Sequence, residues 1–336
     1  MNKTTMLLIL AFVILTMSCS VVANEPPGTQ SYHLEANDTL QEIWRIDNIV
    51  VNNNSRRASI VVDSGVLVIR GNKKTNFIDD RTFGISSLDG KELWEIPRTS
   101  AGDIAVQDSI LYSGVAGYGY LQAYEVTTGN FLWETRLGWT KGILEIYPFA
   151  ESVFAYTASN EFYQLTQKGE VVDVIRNDHP IYVMVDGIIY MKDPLSLKAV
   201  DLMSGSDLWK IELNSSYTFS PIFSEENIFL FTNRKIPKIY SVDRQSGSIQ
   251  WVKEYGVVLS NLAVTPRQVY FLGEEGRIIA LDRISGEESF ALQFYPAIDS
   301  SKNINDYFIA VDVENNILIV YLGDVEEIIA YKIKDE

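Results

Sequence analysis

The sequence predicts an all-β chain closed into a seven-bladed β-propeller of four-stranded antiparallel blades, and three observations carry that reading. A turn ending in glycine recurs at positions 90, 129, 169, 205, 247 and 286, spaced by 36 to 42 residues. A large aromatic residue follows that glycine at the fourth position in every copy except the one at Gly169. Between the turns lie short alternating or wholly apolar runs, such as Ser59-Ile60-Val61-Val62, Ile228-Phe229-Leu230-Phe231 and Gln268-Val269-Tyr270-Phe271-Leu272, with no convincing amphipathic helix. Four short strands per repeat of about forty residues is the pattern of a propeller blade.

In chain order, residues 1–18 read as an export signal. Lys3 supplies a short positive start, and Met6 to Met17 form an apolar run broken only by Thr16. That run is too short to span a bilayer comfortably but suits the apolar region of a signal peptide. Two cleavage sites compete. One precedes Cys19, whose Leu15-Thr16-Met17-Ser18-Cys19 context resembles a bacterial lipobox and makes Cys19 a lipidation site. The other follows Ala23 in Val21-Val22-Ala23. Either one puts the mature protein outside the cytoplasm, lipid-anchored to a bacterial membrane or secreted. Residues 19–38, polar and carrying Pro26-Pro27-Gly28, read as a flexible tether that includes His33.

The propeller is expected over 39–336. Glu42 to Ile46 form a spare strand whose Trp44 matches the aromatic of the repeats. The repeats follow as Ser87-Leu88-Asp89-Gly90 before Trp94, Val126-Thr127-Thr128-Gly129 before Trp133, and Thr166-Gln167-Lys168-Gly169 with no matching aromatic. Asp201-Leu202-Met203-Ser204-Gly205 before Trp209, Asp243-Arg244-Gln245-Ser246-Gly247 before Trp251 and Asp282-Arg283-Ile284-Ser285-Gly286 before Phe290 complete the series. The final unit offers three strands and stops at Glu336 before any glycine turn. The spare N-terminal strand therefore completes it, which closes the ring and pairs both edges. Eight blades would need about 37 residues each, shorter than the glycine spacing favours.

The turn chemistry has a physical basis. Glycine accepts a positive φ at no steric cost, and Asp and Ser or Thr side chains hydrogen-bond the turn backbone. The aromatic residues Trp44, Trp94, Trp133, Trp209, Trp251 and Phe290 are expected to dock one blade on the next rather than to line a ligand cage.

These repeats resemble the PQQ-like, quinoprotein-type propeller motif Ala-x-Asp-x-x-Thr-Gly-x-x-x-Trp. The copies nearest to it run from Ala123 to Trp133 and from Ala199 to Trp209, with Ala280 to Phe290 a third. In repeat type, export signal and size the chain is also similar to the propeller lipoproteins of the outer-membrane β-barrel assembly machinery. The resemblance implies a propeller fold over nearly all of 40–336 and a protein-binding role at the cell envelope.

Composition narrows the chemistry. The chain has 336 residues, 28 Lys and Arg against 44 Asp and Glu, and a net charge of −16, which argues against a nucleic-acid partner. Cys19 is the single cysteine, and His33 and His179 are the only histidines, so cysteine or multi-histidine metal sites are not expected. Quinoprotein dehydrogenases share the repeat but are longer, hold PQQ with Ca²⁺ and often carry a vicinal disulfide. No cofactor is expected here. A Ser-His-Asp hydrolase would have to use His179, which reads as an exposed loop residue in Asn177-Asp178-His179-Pro180. The pairs Glu225-Glu226, Glu274-Glu275 and Glu326-Glu327 read as solvated loop charges.

The loops before the inner strands carry Asn53, Arg56, Arg57, Asp103, Trp139, Lys141, His179, Tyr217, Asn261 and Lys302, a mixture of basic, aromatic and amide groups in an acidic protein. Arg56, Arg57, Asp103, Trp139, Lys141, His179, Tyr217 and Asn261 form the expected recognition face. The expected function is a non-enzymatic, monomeric scaffold that binds another envelope protein and touches the membrane only through its lipid. A ligand- or glycan-sensing propeller is the alternative, followed by a propeller enzyme.

Overall fold

The computed structural model describes residues 31–51, 60–74, 76–97, 101–115, 119–138, 142–149, 151–159, 161–176, 181–185, 187–193, 195–201, 204–213, 221–232, 237–298 and 307–334. Cys19, Arg56, Arg57, Trp139, Lys141, His179 and Tyr217 lie outside them, as do Asn53 and Lys302.

The described chain from Tyr32 onward forms seven antiparallel blades. Blade 1 has a divided inner strand, Ile49–Val51 and Ile60–Asp63, both pairing with Val66–Lys73, followed by Asn76–Ser86 and Glu92–Pro97. Blade 2 runs through Ala101–Gln107, Ile110–Val115, Tyr120–Glu125 and Phe131–Arg136. Blade 3 comprises Ile143–Phe149, Ser152–Thr157, Glu161–Thr166 and Val171–Arg176. Blade 4 spans Ile181–Val185 to Asp207–Glu212, blade 5 Ile222–Phe223 to Ile249–Glu254, and blade 6 Ala263–Val264 to Glu288–Leu292. Blade 7 takes Tyr307–Asp312, Ile317–Leu322 and Glu327–Ile333 from the C-terminal end and Leu40–Ile46 from the N-terminal end. The predicted closure is thus the observed one, with Trp44 opposite Ala330.

The second strand of a blade is covered on both faces by neighbouring blades, which explains the continuous apolar runs. Ile317–Leu322 is buried at every residue. Outer strands are half covered and alternate accordingly, as in Glu92–Pro97. The cores lie between blades rather than within them. One cluster joins Leu67, Ile69, Phe83 and Ile85 of blade 1 to Ile317, Ile319 and Tyr321 of blade 7.

Two expectations need correction. The N-terminal segment is not free up to residue 38. Tyr32 is 3% exposed, and His33–Leu34 pairs with Phe294–Tyr295. The tether reading rested on polar composition, which is blind to a partner strand so distant in sequence. Glu327 is also no solvated loop charge. It is buried, and its carboxylate takes Arg45 Nη1 at 2.5 Å across the closure seam.

Candidate functional site

Five of the seven blade junctions are built from the repeat itself. The tryptophan of one outer strand lies on the glycine turn of the next blade, and its indole N–H donates to a carbonyl of that turn. Trp44 donates to Ser87 O at 2.7 Å, Trp94 to Val126 O at 2.7 Å and Trp133 to Gln167 O at 2.6 Å. Trp209 donates to Arg244 O at 3.1 Å and Trp251 to Arg283 O at 3.0 Å. Opposite each docking ring in its own sheet stands a small residue: Gly84, Ala123, Ala199, Ser241, Ala280 or Ala330. The alanine of the motif is there because the ring lies over it. A Cβ on Gly84 would meet Trp94 Cε2 at 2.0 Å.

The turns hold their shape through their own side chains. Asp243 Oδ1 accepts from the Ser246 N–H at 2.7 Å and hydroxyl at 2.6 Å, and Asp282 Oδ1 takes the same pair from Ser285 at 2.7 and 2.8 Å. These hydrogen bonds hold both carboxyls below the usual carboxylate range, led by the Ser246 side chain at Asp243 and the Ser285 backbone at Asp282.

Of the expected recognition face, two residues lie among those described, and both hold blades together. Asp103 is buried, and its Oδ2 accepts from the Ile146 N–H of blade 3 at 3.0 Å. Asn261 presents its side-chain amide to Ile309 of blade 7 as a strand residue would. Its Nδ2 donates to Ile309 O and its Oδ1 accepts from Ile309 N, both at 2.9 Å. Ser87 adds a third clip, its hydroxyl donating to Asp312 Oδ2 at 2.5 Å between blades 1 and 7. In the sequence Ser87 reads as a turn residue only, and no local signal distinguishes it.

In up-and-down blades the turns after the first and third strands share one face of the ring. There, a groove of about 680 Å³ is lined by Glu225, Glu226, Asp243, Arg244, Gln245 and Ile284, among others. Arg244 is committed to the fold. Its guanidinium donates to Tyr190 Oη at 3.2 Å and to Ser224 O at 3.3 Å, and burial lowers its pKa from the usual value. Burial likewise raises the Tyr190 phenol. Among the described residues, no three His, Cys, Asp or Glu side chains gather in a way that could hold a metal ion.

The junction between blades 3 and 4 departs from the others. In the register of the docking tryptophans stands Asp173, opposite Gln164. Gly205, the turn glycine that a ring would cover, has no atom of the described residues within 4 Å of where a Cβ would stand.

Comparison with known proteins agrees with this architecture. The family model described as "Outer membrane protein assembly factor BamB" matches residues 79–292, from the third strand of blade 1 to the end of blade 6. No curated protein matches the sequence. The crystal structure of BamB from Moraxella catarrhalis superposes with a TM-score of 0.55 at 13% identity, covering 87% of this chain and 99% of that one. A chain of the crystal structure of the mitotic checkpoint complex superposes with a TM-score of 0.67 at 11% identity, covering 90% of this chain and 94% of that one. At such identities the two structures bear on the fold alone.

Proposed function

The chain belongs to the family of the outer membrane protein assembly factor BamB, and from that premise we propose that it is a non-enzymatic, protein-binding scaffold working outside the cytoplasm at a bacterial cell envelope. The family match is the observation that carries this reading. The fold supports it physically. Every described tryptophan dock fixes one blade to the next, so the ring holds surface turns and outer strands in fixed relative positions, as a platform for partners requires. The two superposed structures are BamB, the protein for which the matching family is named, and part of the mitotic checkpoint complex.

The apolar run from Met6 to Met17, just before Cys19, supports export, with Cys19 lipidated at the mature N-terminus and the propeller held to the membrane by that lipid. The ligand-sensing alternative has the groove beside Arg244 in its favour. Among the described residues that line it, however, the one basic side chain is Arg244, which is already bonded to its neighbours.

The test is crosslinking and affinity capture from native envelopes with the wild type and Cys19→Ala, together with mass spectrometry of the mature N-terminus. A scaffold captures a defined membrane partner with no bound small molecule, and lipid on Cys19 marks the anchor. A mature chain starting at Asn24 would refute the anchor. A wild type that captures no defined partner would refute the scaffold.

A further inference from the structure

At six of the seven blade junctions an aromatic ring of one outer strand meets the next blade. The junction of blades 3 and 4 has the docking position without the ring. Asp173 occupies the ring's place in the register, Gln164 stands where the other blades carry a small residue, and no atom of the described residues comes within 4 Å of a Cβ position on Gly205. At the equivalent Gly129, atoms of Trp94 come within 2.7 Å of the Cβ position. The buried apolar cluster at this junction, Phe154, Tyr156 and Phe162, is the smallest such cluster among the described residues.

The same blade presents a valine-rich edge. Val171–Arg176 is the outermost strand of its sheet, so one side of its backbone has no strand partner among the described residues. Val171, Val172 and Val174 are 44%, 59% and 41% exposed. Edge strands are usually protected by charge, and the equivalent strand of blade 1 carries Glu92 and Glu95. Val171–Arg176 carries Asp173 at its centre and Arg176 at its last position, so Asp173 is the one acidic charge on this edge. Its Oδ1 accepts from the neighbouring Val174 N–H at 2.7 Å, and among the described residues no cation pairs with it.

We propose that the outer edge of blade 3 receives an extended strand of a partner protein, paired along Val171–Arg176, with an arginine of that strand seated in the vacant ring position between Asp173 and Gly205. Arginine is the side chain these observations select. The position accepts a flat group lying on a glycine turn, as five indoles do elsewhere in the ring. A guanidinium is flat and brings donors in a fixed fork. It would pair with the Asp173 carboxylate and donate to the Gln164 side-chain oxygen. A tryptophan there would cover Asp173 while leaving its charge unpaired, an unfavourable burial. The chain's net charge of −16 further favours a basic segment. Main-chain pairing along the valines would supply affinity and the notch specificity, as in other strand-addition complexes. This inference rests on the scaffold reading and names where such a partner would sit.

The test uses the full chain and a dye-labelled seven-residue peptide of valine and threonine with one central arginine, read by fluorescence anisotropy. Wild type should bind it, and should bind the same peptide with central glutamate or tryptophan at least about tenfold more weakly. Asp173→Lys, an exposed position that leaves packing intact, should weaken the arginine peptide by about tenfold or more. Asp173→Trp with Gln164→Ala rebuilds the docking pair and should both raise the melting temperature and abolish peptide binding. No binding to wild type, equal binding of the three peptides, or unchanged binding to Asp173→Lys would overturn the proposal. Envelope capture separates the two readings. If Asp173→Lys captures the wild-type partner undiminished, the notch is wrong and the scaffold stands. If wild type captures none, the scaffold itself fails.

Discussion

Gly129 and Gly205 occupy equivalent turns, and replacing each with alanine separates two demands on the same residue. Both have positive φ, +69 and +67. A Cβ in that region costs about 1–2 kcal/mol through backbone strain alone. At Gly205 none of the described residues opposes it, so Gly205→Ala should cost about 1–2 kcal/mol. At Gly129 the new Cβ would stand 2.7 Å from Trp94 Cγ and 2.8 Å from Cδ2. The ring cannot retreat, because Gly84 lies beneath it and its Nε1 is bonded to Val126 O. Overpacking adds about 1–3 kcal/mol, so Gly129→Ala should cost about 2–5 kcal/mol in all. Urea unfolding followed by far-ultraviolet circular dichroism would measure both. The decisive comparison repeats each substitution in a Trp94→Ala background. There the cost of Gly129→Ala should fall most of the way to that of Gly205→Ala, the Cβ that alanine keeps still standing 3.0 Å from the new one, while Gly205→Ala should be unaffected. Equal costs in the native background, or a Gly129→Ala cost indifferent to Trp94, would refute the claim that ring docking demands glycine.

Asn261→Ala should lower stability by about 2–4 kcal/mol, because it strands both the N–H and the carbonyl of Ile309, and Asn261→Asp should fall well short of restoring it, since a carboxylate cannot donate to Ile309 O; thermal unfolding would check both. The folded-state carboxyls of Asp243 and Asp282 are depressed below their ordinary 3.8, so their contribution is present above that value and lost as pH falls through and below it. Urea midpoints should therefore drop between about pH 5 and pH 3, and drop less in Ser246→Ala with Ser285→Ala, which removes the hydroxyl donors.

What the sequence made legible was what it repeats. The glycine turns, the aromatic four residues on and the spare strand with Trp44 recur at blade spacing, and the closed seven-bladed ring follows from them. The missing aromatic after Gly169 was equally visible, but only as a defect. That it leaves open space on the next blade required knowing which turn each ring covers. The clips were not legible for a related reason. Asp103 reaches Ile146 across 43 positions and Asn261 reaches Ile309 across 48, about one blade in each case. A polar side chain in a loop looks the same in sequence whether it meets water or the backbone of the neighbouring blade. Tyr32 and Glu327 were misread in the same way, since their partners Asp324 and Arg45 lie at opposite ends of the chain.

The choice of ring at the closure shows how closely residue type follows the partner it must meet. Blade 6 ends in Phe290, where every other docking ring is tryptophan, and it faces the one blade built from both chain ends. In blade 7 the third and fourth strands, Glu327–Ile333 and Leu40–Ile46, are joined by no turn; Lys334 N–H instead donates to Thr39 O at 2.9 Å. With no turn there is no turn carbonyl to take an indole N–H, and a buried donor left unpaired costs about 1–3 kcal/mol. Phenylalanine fills the space without bringing that donor, and Phe290 packs against the blade 6–7 core with its ring 6.2 Å from that of Tyr270. The same logic separates the two exceptions in the ring. At the closure the acceptor is missing and the donor has been removed with it. At blades 3 and 4 the turn glycine is present and the ring is absent, with Asp173 in its register.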